Sequence, residues 1–432
     1  MVFCWLRRDL RLHDHAALYH ALKNNNEVLP LFIFDENILS ELPEIDRRVD
    51  FIHQVLENIK TDLRRIGSDI LIEHGTPEDV WKKLIDQYEP KAVYANHDYE
   101  PYARERDSRV KEILASRQIP FYTFKDQTIF EKDEIVKDDG SPYTVFTPYS
   151  KRCKEKLKPF FYKSYPTEKY FSSFKKITEP FKFPTLDELG FRKTDIQFKF
   201  PELPSEELLL HYKERRDFPG IHGTSRLSVH LRFGTISIRK LVQQALHAGS
   251  ESYLNELIWR DFYMMILWHF PYVVHSAFKK EYDHIPWENN EVYFERWTMG
   301  KTGVPMVDAG MRELMATGYM HNRVRMITAS FLTKNLLIDW RWGEAWFARL
   351  LNDFDLSANN GGWQWSASTG CDAAPYFRIF NPVEQQKKFD PEFKYIKKWI
   401  PEFGTTEYPE PMVDLKTTRE RAIQVFSSVL KN

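Results

Sequence analysis

Apolar residues in the first 125 positions come in short runs separated by longer mixed stretches. The runs at 2–6, 28–34, 70–72, 92–95 and 121–124 read as buried strands. Between them, apolar positions recur three and four apart near 15–23, 47–66, 77–88 and 102–117, which predicts helices. This alternation predicts a parallel sheet with helices on its faces and a ligand crevice at the carboxyl edge of the strands. From about 131 to 205 the periodicity fades into a stretch rich in Pro, Lys, Phe and Tyr. From Glu206 onward strand patterns nearly vanish and long helical ones dominate. The pattern thus predicts an α/β domain over 1–130, a connector over 131–205 and an all-helical domain over 206–432.

Composition narrows this picture mainly by exclusion. With 432 residues and a net charge of −1, the chain is long enough for two or three domains and advertises no global field for a polyanion. Local patches remain, notably Lys151, Arg152, Lys154, Lys156 and Lys158, which read as a solvated connector or as a phosphate-contacting surface. After the first strand, Arg7, Arg8 and Arg11 admit two readings, a phosphate or carboxylate clamp and structural ion pairs with Asp9 and Asp14. No GxGxxG follows that strand, Gly300–Gly303 lacks the upstream glycine of a P-loop, and no HExxH or CxxC metal knuckle occurs, so no metal is implied. Three scattered cysteines, no signal pattern and no run of 18 apolar residues predict a reduced, cytoplasmic protein with no membrane association. Aromatic residues make up 15% of the chain, which suits large cores and also planar ligands.

The chemistry concentrates in the helical part. Gly223-Thr224-Ser225-Arg226-Leu227-Ser228 puts small hydroxyls and backbone amides before a helix, as a pyrophosphate cradle or a plain N-cap requires. On a helix, Glu256, Trp259, Arg260 and Tyr263 share one face, while Leu257, Ile258 and Met265 point to a core. A face mixing carboxylate, indole and guanidinium suits a buried ion pair or the wall of a cavity for a planar, polar substrate. Asn322, Arg323 and Met326 line another helical face, and Arg325 follows within the same turn. Asp353 and Asp355 precede Asn359-Asn360-Gly361-Gly362-Trp363-Gln364-Trp365, where the paired glycines predict a bend that turns two indoles in different directions.

Together GTSRLS, NELIWRDFY, MHNRVRMITASFL and NNGGWQWSASTGCDAAPYFRIFNP resemble the photolyase/cryptochrome family, and most closely its class I cyclobutane-pyrimidine-dimer photolyases. The resemblance covers nearly the whole chain from Arg7-Arg8-Asp9 to Pro382. It implies an α/β antenna domain, a helical domain holding FAD in its reduced anionic form, and light-driven splitting of a pyrimidine dimer flipped out of damaged DNA. It implies FAD contacts at Tyr212, Thr224, Ser225, Arg226, Leu227, Ser228, Asn322, Arg325, Asp353, Asp355 and Asn359, the last beside flavin N5. Glu256, Trp259, Asn322, Arg323, Met326 and Trp365 would form the dimer pocket, with Arg260, Tyr263, Arg378 and Gln385 also facing DNA. Trp363, Trp340 and Trp297 match the positions that pass electrons inward from the surface. The antenna ligand stays open between folate and deazaflavin types, because Tyr102-Ala103 stands where folate-binding relatives carry Asn-Glu. A monomer acting on damaged DNA is the implied state.

Three rivals remain in view. A (6-4) photolyase is expected to place histidine after Asn322, where this chain has Arg323-Val324-Arg325-Met326. A cryptochrome receptor usually replaces Asn359 with an acid or cysteine. A flavin-binding module without activity would not need Glu256, Trp259, Met326 and Trp365 together.

Overall fold

In a computed structural model describing residues 1–430, the chain divides into two compact units. Unit 1 comprises 1–131, 156–203 and 227–244; unit 2 comprises 132–155, 204–226 and 245–432. The stretch 131–205 is therefore shared between them, and residues 227–244 return to the first.

Unit 1 is built on five parallel strands, β1 (Val2–Leu6), β2 (Val28–Asp35), β3 (Leu71–Gly75), β4 (Val93–Asn96) and β5 (Phe121–Phe124), in the order β3-β2-β1-β4-β5. Helices α1 (Ala16–Asn24), α2 (Arg47–Arg65), α3 (Pro77–Tyr88) and α4 (Pro101–Ser116) alternate with the strands. β1 and β2 are buried along their whole length, the uninterrupted apolar run of a parallel sheet covered on both faces. The helices start where the sequence supplies caps. Thr76 accepts from Asp79 N with Pro77 in the first turn, and Asp46 accepts from Arg48 N. Residues 156–203 join this unit because Phe174 is buried in its core, Lys175 N donates to Val28 O and Ile177 N donates to Gly67 O.

The three arginines after β1 are consumed in structural pairs, though not mainly with the acids nearest in sequence. Arg7 holds Asp107 through both carboxylate oxygens at 2.7 Å, and Arg8 reaches Asp98 and Glu100. Arg11 reaches Asp126 at 2.6 Å and the Asp14 carbonyl. Arg239 completes that cluster, pairing with both Asp14 and Asp126 at 2.8 Å. Burial alone would push the Asp126 carboxyl up, but Arg11 and Arg239 hold it well below the usual carboxylate range.

Unit 2 is helical. Its elements around the site are α5 (Phe146–Lys156), α6 (Glu251–His269), α7 (Glu291–Thr298), α8 (Pro305–Thr317), α9 (Asn322–Ser330), α10 (Trp340–Leu350), α11 (Leu356–Ala367) and α12 (Leu415–Val429). A π-turn, Phe331–Asn335, follows α9. α5 belongs here through Lys154–Glu251 at 2.6 Å, a hydrogen bond from Ser150 to Asn255, and the Phe146 ring stacked on Trp259. The basic run around Lys151 is thus partly spent, Lys154 on Glu251 and Arg152 on Asp138 and Glu155, while Lys151 and Lys158 are exposed. Among the described residues no helix is long and apolar enough to cross a membrane.

Candidate active site

The bend expected at Gly361-Gly362 is absent. Residues 356–367 form one continuous helix, α11, capped by the Asp355 side chain on Ala358 N and ended by Ser368 at φ 72°. Neither Gly361 nor Gly362 has positive φ. Tertiary packing overrides the low helix propensity of the glycine pair, and the two glycines serve separate ends. A Cβ on Gly361 would overlap the ring of Tyr263 from α6, so glycine lets the two helices touch. A Cβ on Gly362 would meet nothing within 4 Å, so this part of α11 borders open space. The indoles still diverge, because two residues along a helix turn by roughly 200°.

Each face of α11 has its own anchor. Asn360 and Gln364, one turn apart, both donate to Val273 O, at 3.0 and 2.9 Å, and Phe278 N donates back to Gln364 Oε1. At the carboxyl end, the buried Lys334 of the π-turn donates to Ala367 O and Ser368 Oγ. Asn359 Nδ2 donates to Glu344 O at 3.1 Å. Trp363 packs against Gly343, where any Cβ would overlap its benzo ring, and its Nε1 is buried without a protein partner. Trp365 is half-buried on the opposite side, 6.3 Å from the Phe380 ring.

Glu344 sits beneath the two asparagines. Burial pushes its carboxyl from 4.5 up to about 7, although Asn359 and Asn360 hydrogen-bond to it. The unfolded carboxyl releases its proton near the ordinary value and the folded one holds it to about 7, so folding takes up a proton in between. Stability should therefore fall as pH rises through that window. Glu344→Gln should flatten this dependence, read as Tm against pH from 4.5 to 8; an unaltered profile would place the titration elsewhere.

On α6, Glu256, Trp259, Arg260 and Tyr263 are each half-buried on one side of the helix, while Leu257, Ile258 and Met265 are buried, as the periodicity predicts. The Trp259 ring stacks on Phe146 with centroids 3.6 Å apart and planes 4° from parallel, and tilts against Tyr263. Glu256 is tied to Arg216, and Asp217, the next residue, receives Arg323 Nη2 of α9 at 2.9 Å. Arg216-Asp217 thereby couples the carboxylate of α6 to the guanidinium of α9. Neither residue stood out in the sequence; their one signal was lying four and five positions after Tyr212. Phe146 gave no signal at all.

Around α9, the Arg323 guanidinium lies 4.4 Å from the Phe389 ring, and its Nε is buried without a partner. Exposed Asn322 donates to Met326 Sδ at 3.8 Å. Arg325 pairs with Asp353 at 2.9 Å and donates to Met320 O. Asp355 accepts from Ser357. Tyr212 is buried edge-on against Tyr253, whose hydroxyl donates to Ser225. Thr224 hydrogen-bonds Tyr319, and exposed Arg226 lies 4.5 Å over the Tyr319 ring. Leu227 and Ser228 belong to unit 1, where Ser228 opens a six-residue helix. Arg378 is exposed, and Gln385 on the helix Pro382–Phe389 has a buried, unpartnered Oε1.

Trp297, Trp340 and Trp363 are 0%, 1% and 2% exposed, so the set has no member at the surface. Trp297 in particular is enclosed by Phe294, Phe347 and Trp363, with Nε1 donating to Thr328 O. The half-buried Trp287 packs against the core cluster containing Trp340. The residues after it are pinned just ahead of Trp340, by Glu288 N on Leu337 O and Asp339 N on Asn289 Oδ1, both 2.8 Å.

Comparison with known proteins bears on the whole chain. Residues 2–169 match the family model described as DNA photolyase, and residues 253–406 match that of the FAD binding domain of DNA photolyase. A deoxyribodipyrimidine photo-lyase of Alkalihalophilus pseudofirmus is 39% identical, covering 98% of this chain and 97% of its own. A class III photolyase from Agrobacterium tumefaciens has a similar structure, with a TM-score of 0.88 at 32% identity over 100% of this chain and 98% of its own. An archaeal photolyase from Sulfolobus tokodaii, solved with two FAD molecules, gives 0.84 at 33% identity over 99% of both chains. Sequence, length and fold agree in placing this chain in the DNA photolyase family.

Proposed function

We propose that this chain is a light-driven DNA repair enzyme that uses reduced FAD to split cyclobutane pyrimidine dimers, working as a monomer in the cell interior. The observation that carries the reading is α11, one rigid helix with Asn359 and Trp363 on one side and Trp365 on the other. Several features fit a large planar, polar cofactor in unit 2. Open space borders Gly362, and Trp363 Nε1 and Asn352 Oδ1 are buried with no protein partner. Buried polar atoms are normally satisfied, so these are vacant hydrogen-bonding positions.

Bound in its reduced form, FAD supplies on absorbing blue light the electron that opens the cyclobutane ring. The protein's part is to hold and shield. Asn359, its amide fixed by Glu344 O, keeps Oδ1 as an acceptor toward the flavin edge. Arg325, neutralised by Asp353, offers its remaining donors without a net charge. Tyr212, Thr224, Ser225 and Arg226 with Leu227 and Ser228 serve the phosphates and ribose.

On the lesion side, Trp365 and Trp259 offer flat apolar faces and Glu256 a carboxyl for pyrimidine N–H and carbonyl groups. Burial raises the Glu256 carboxyl, and the Arg216 guanidinium beside it opposes that shift. Asn322, Arg323 and Met326 close the wall, and Arg260, Tyr263, Arg378 and Gln385 meet the flanking strand. For electron supply, Trp363, Trp340 and Trp297 form the relay, and the half-buried Trp287, packed against the core cluster that holds all three, offers a way outward. A second, light-harvesting chromophore in unit 1, of folate or deazaflavin type, suits the same reading. Tyr102 at the carboxyl edge of the sheet, hydrogen-bonded to Asp35 at 2.6 Å, stands where a folate site needs asparagine.

The deciding assay is repair of a dimer-containing oligonucleotide by the chemically reduced, FAD-loaded protein in blue light and in the dark. Repair is expected only in light; none in light at full FAD occupancy would sink the reading in favour of signalling or binding. Binding to the same oligonucleotide should weaken linearly in log affinity against log salt, at about −0.9 per phosphate contacted.

A further inference from the structure

Among the described residues, no acid pairs with the buried ammonium of Lys334. Lys334 is 1% exposed and projects from the π-turn Phe331–Asn335, a helix irregularity frequent at functional sites. Its Nζ donates to Ala367 O at 3.1 Å and to Ser368 Oγ at 2.9 Å, and sits 3.4 Å from the centre of the Phe426 ring of α12. A carbonyl, a hydroxyl and an aromatic face thus meet the three N–H donors of an ammonium. The carboxyl end of α11, with its partial negative charge, stands where a carboxylate would otherwise be needed. Burial pulls the lysine well below its usual pKa, and these three contacts are what favour the charged form. α12 is held over the same turn by Asn335 Nδ2 donating to Thr418 Oγ1 at 2.9 Å and Arg421 Nη2 donating to Asn335 O at 2.7 Å.

The carbonyl that Lys334 caps lies two residues after Trp365, and the chain beyond it folds back on the same turn. Thr369 N and Gly370 N donate to Gln364 O at 3.0 and 3.1 Å, and Ala374 N donates to Trp365 O at 3.3 Å. Between them Asp372, at φ 44°, accepts from Phe146 N at 2.9 Å, and Phe146 is the ring stacked on Trp259. One end of α11 therefore carries Trp365 directly and reaches Trp259 through Asp372 and Phe146. We infer that Lys334 is a positioning residue: by fixing the carboxyl end of α11 it sets the spacing of Trp365 and Trp259, and so the affinity for the flipped dimer, without touching it. The inference rests on the repair reading above. The rest of α11 has anchors of its own, Asn359 on Glu344 O and Asn360 with Gln364 on Val273 O. Loss of Lys334 frees the last turn and leaves those anchors in place, so lesion binding and cofactor binding should separate.

The test uses the full chain loaded with FAD and chemically reduced, with an oligonucleotide carrying one thymine dimer and its undamaged counterpart. Lys334→Met keeps the length of the side chain and removes its charge and donors. In this variant the dark Kd for the dimer and the KM of repair are expected to rise about tenfold, the worth of one charge-assisted hydrogen bond. FAD content, repair per absorbed photon at saturating substrate and binding of undamaged DNA should stay at wild-type values. Ser368→Gly, which suits φ 72° and removes only the hydroxyl acceptor, should give a smaller rise of the same kind; it carries the test if Lys334→Met does not fold. Asp372→Ala should raise the dimer Kd as well, and combined with Lys334→Met less than additively, because both act on one connection. Wild-type dimer affinity in Lys334→Met and Ser368→Gly would overturn the inference. So would FAD content or saturated repair falling in step with affinity, or strict additivity with Asp372→Ala. Failure of the functional reading is seen separately, as absence of light-dependent repair by the wild-type reduced protein.

Discussion

Trp363→Phe is expected to reduce photoreduction of oxidised FAD to background while chemically reduced protein still repairs dimers in blue light. Trp363 lies one turn from Asn359 on α11 and touches Trp297, with centroids 6.1 Å apart, so the other indoles reach the flavin only through it. Phenyl fits the seat in outline, since the position is walled by Phe347 and by the backbone at Gly343. The indole Nε1 has no partner within the protein, so the change strands no acceptor, and its folding cost is a small cavity rather than a broken hydrogen bond. Flavin bleaching under constant blue light, compared with repair after dithionite reduction, separates the two activities. Photoreduction at the wild-type rate would remove Trp363 from the relay.

Gly361→Leu should be the most damaging single change on α11. Leucine is the better helix former by up to about 1 kcal/mol, which taken alone predicts a gain. The side chain would nonetheless have to occupy the volume of the Tyr263 ring, and overpacking of that kind costs about 1–3 kcal/mol or more. The steric term wins, and α11 must move away from α6, carrying Trp365 away from Trp259. Loss of bound FAD and a Tm lower by several degrees are the expected readings. The same substitution at Gly362, which faces open space, should leave Tm nearly unchanged but obstruct the cofactor. Equal Tm losses at the two positions would contradict this division of roles.

Much of this arrangement was legible in the sequence because it depends on period. The five strands lie where the apolar runs predict them, with ends differing by at most three residues, and the α6 face of Glu256, Trp259, Arg260 and Tyr263 follows from helical spacing alone. What period does not encode is which helices meet. The link from Glu256 through Arg216-Asp217 to Arg323 joins three segments spread over about a quarter of the chain, and Phe146 reaches Trp259 from farther still. Gly361-Gly362 was misread because local propensity argues for a bend, whereas the contact with Tyr263 that keeps the helix straight is long-range. The burial of Trp297 was not legible for a similar reason: a tryptophan's depth depends on what covers it, here Phe294 and Phe347.

Arg239 lies more than 110 residues beyond the last strand of the sheet it helps hold together, yet it supplies a counter-charge for Asp14 and Asp126. During synthesis, unit 1 has Arg11 for Asp126 from the start but cannot also neutralise Asp14 until residue 239 has left the ribosome, some 6–23 seconds after the last strand at about 5–20 residues per second. By then 132–155 and 204–226, which belong to unit 2, have also been made. No single cut in the gene releases either unit whole, so a truncation after β5 should yield an insoluble fragment rather than a free-standing antenna domain.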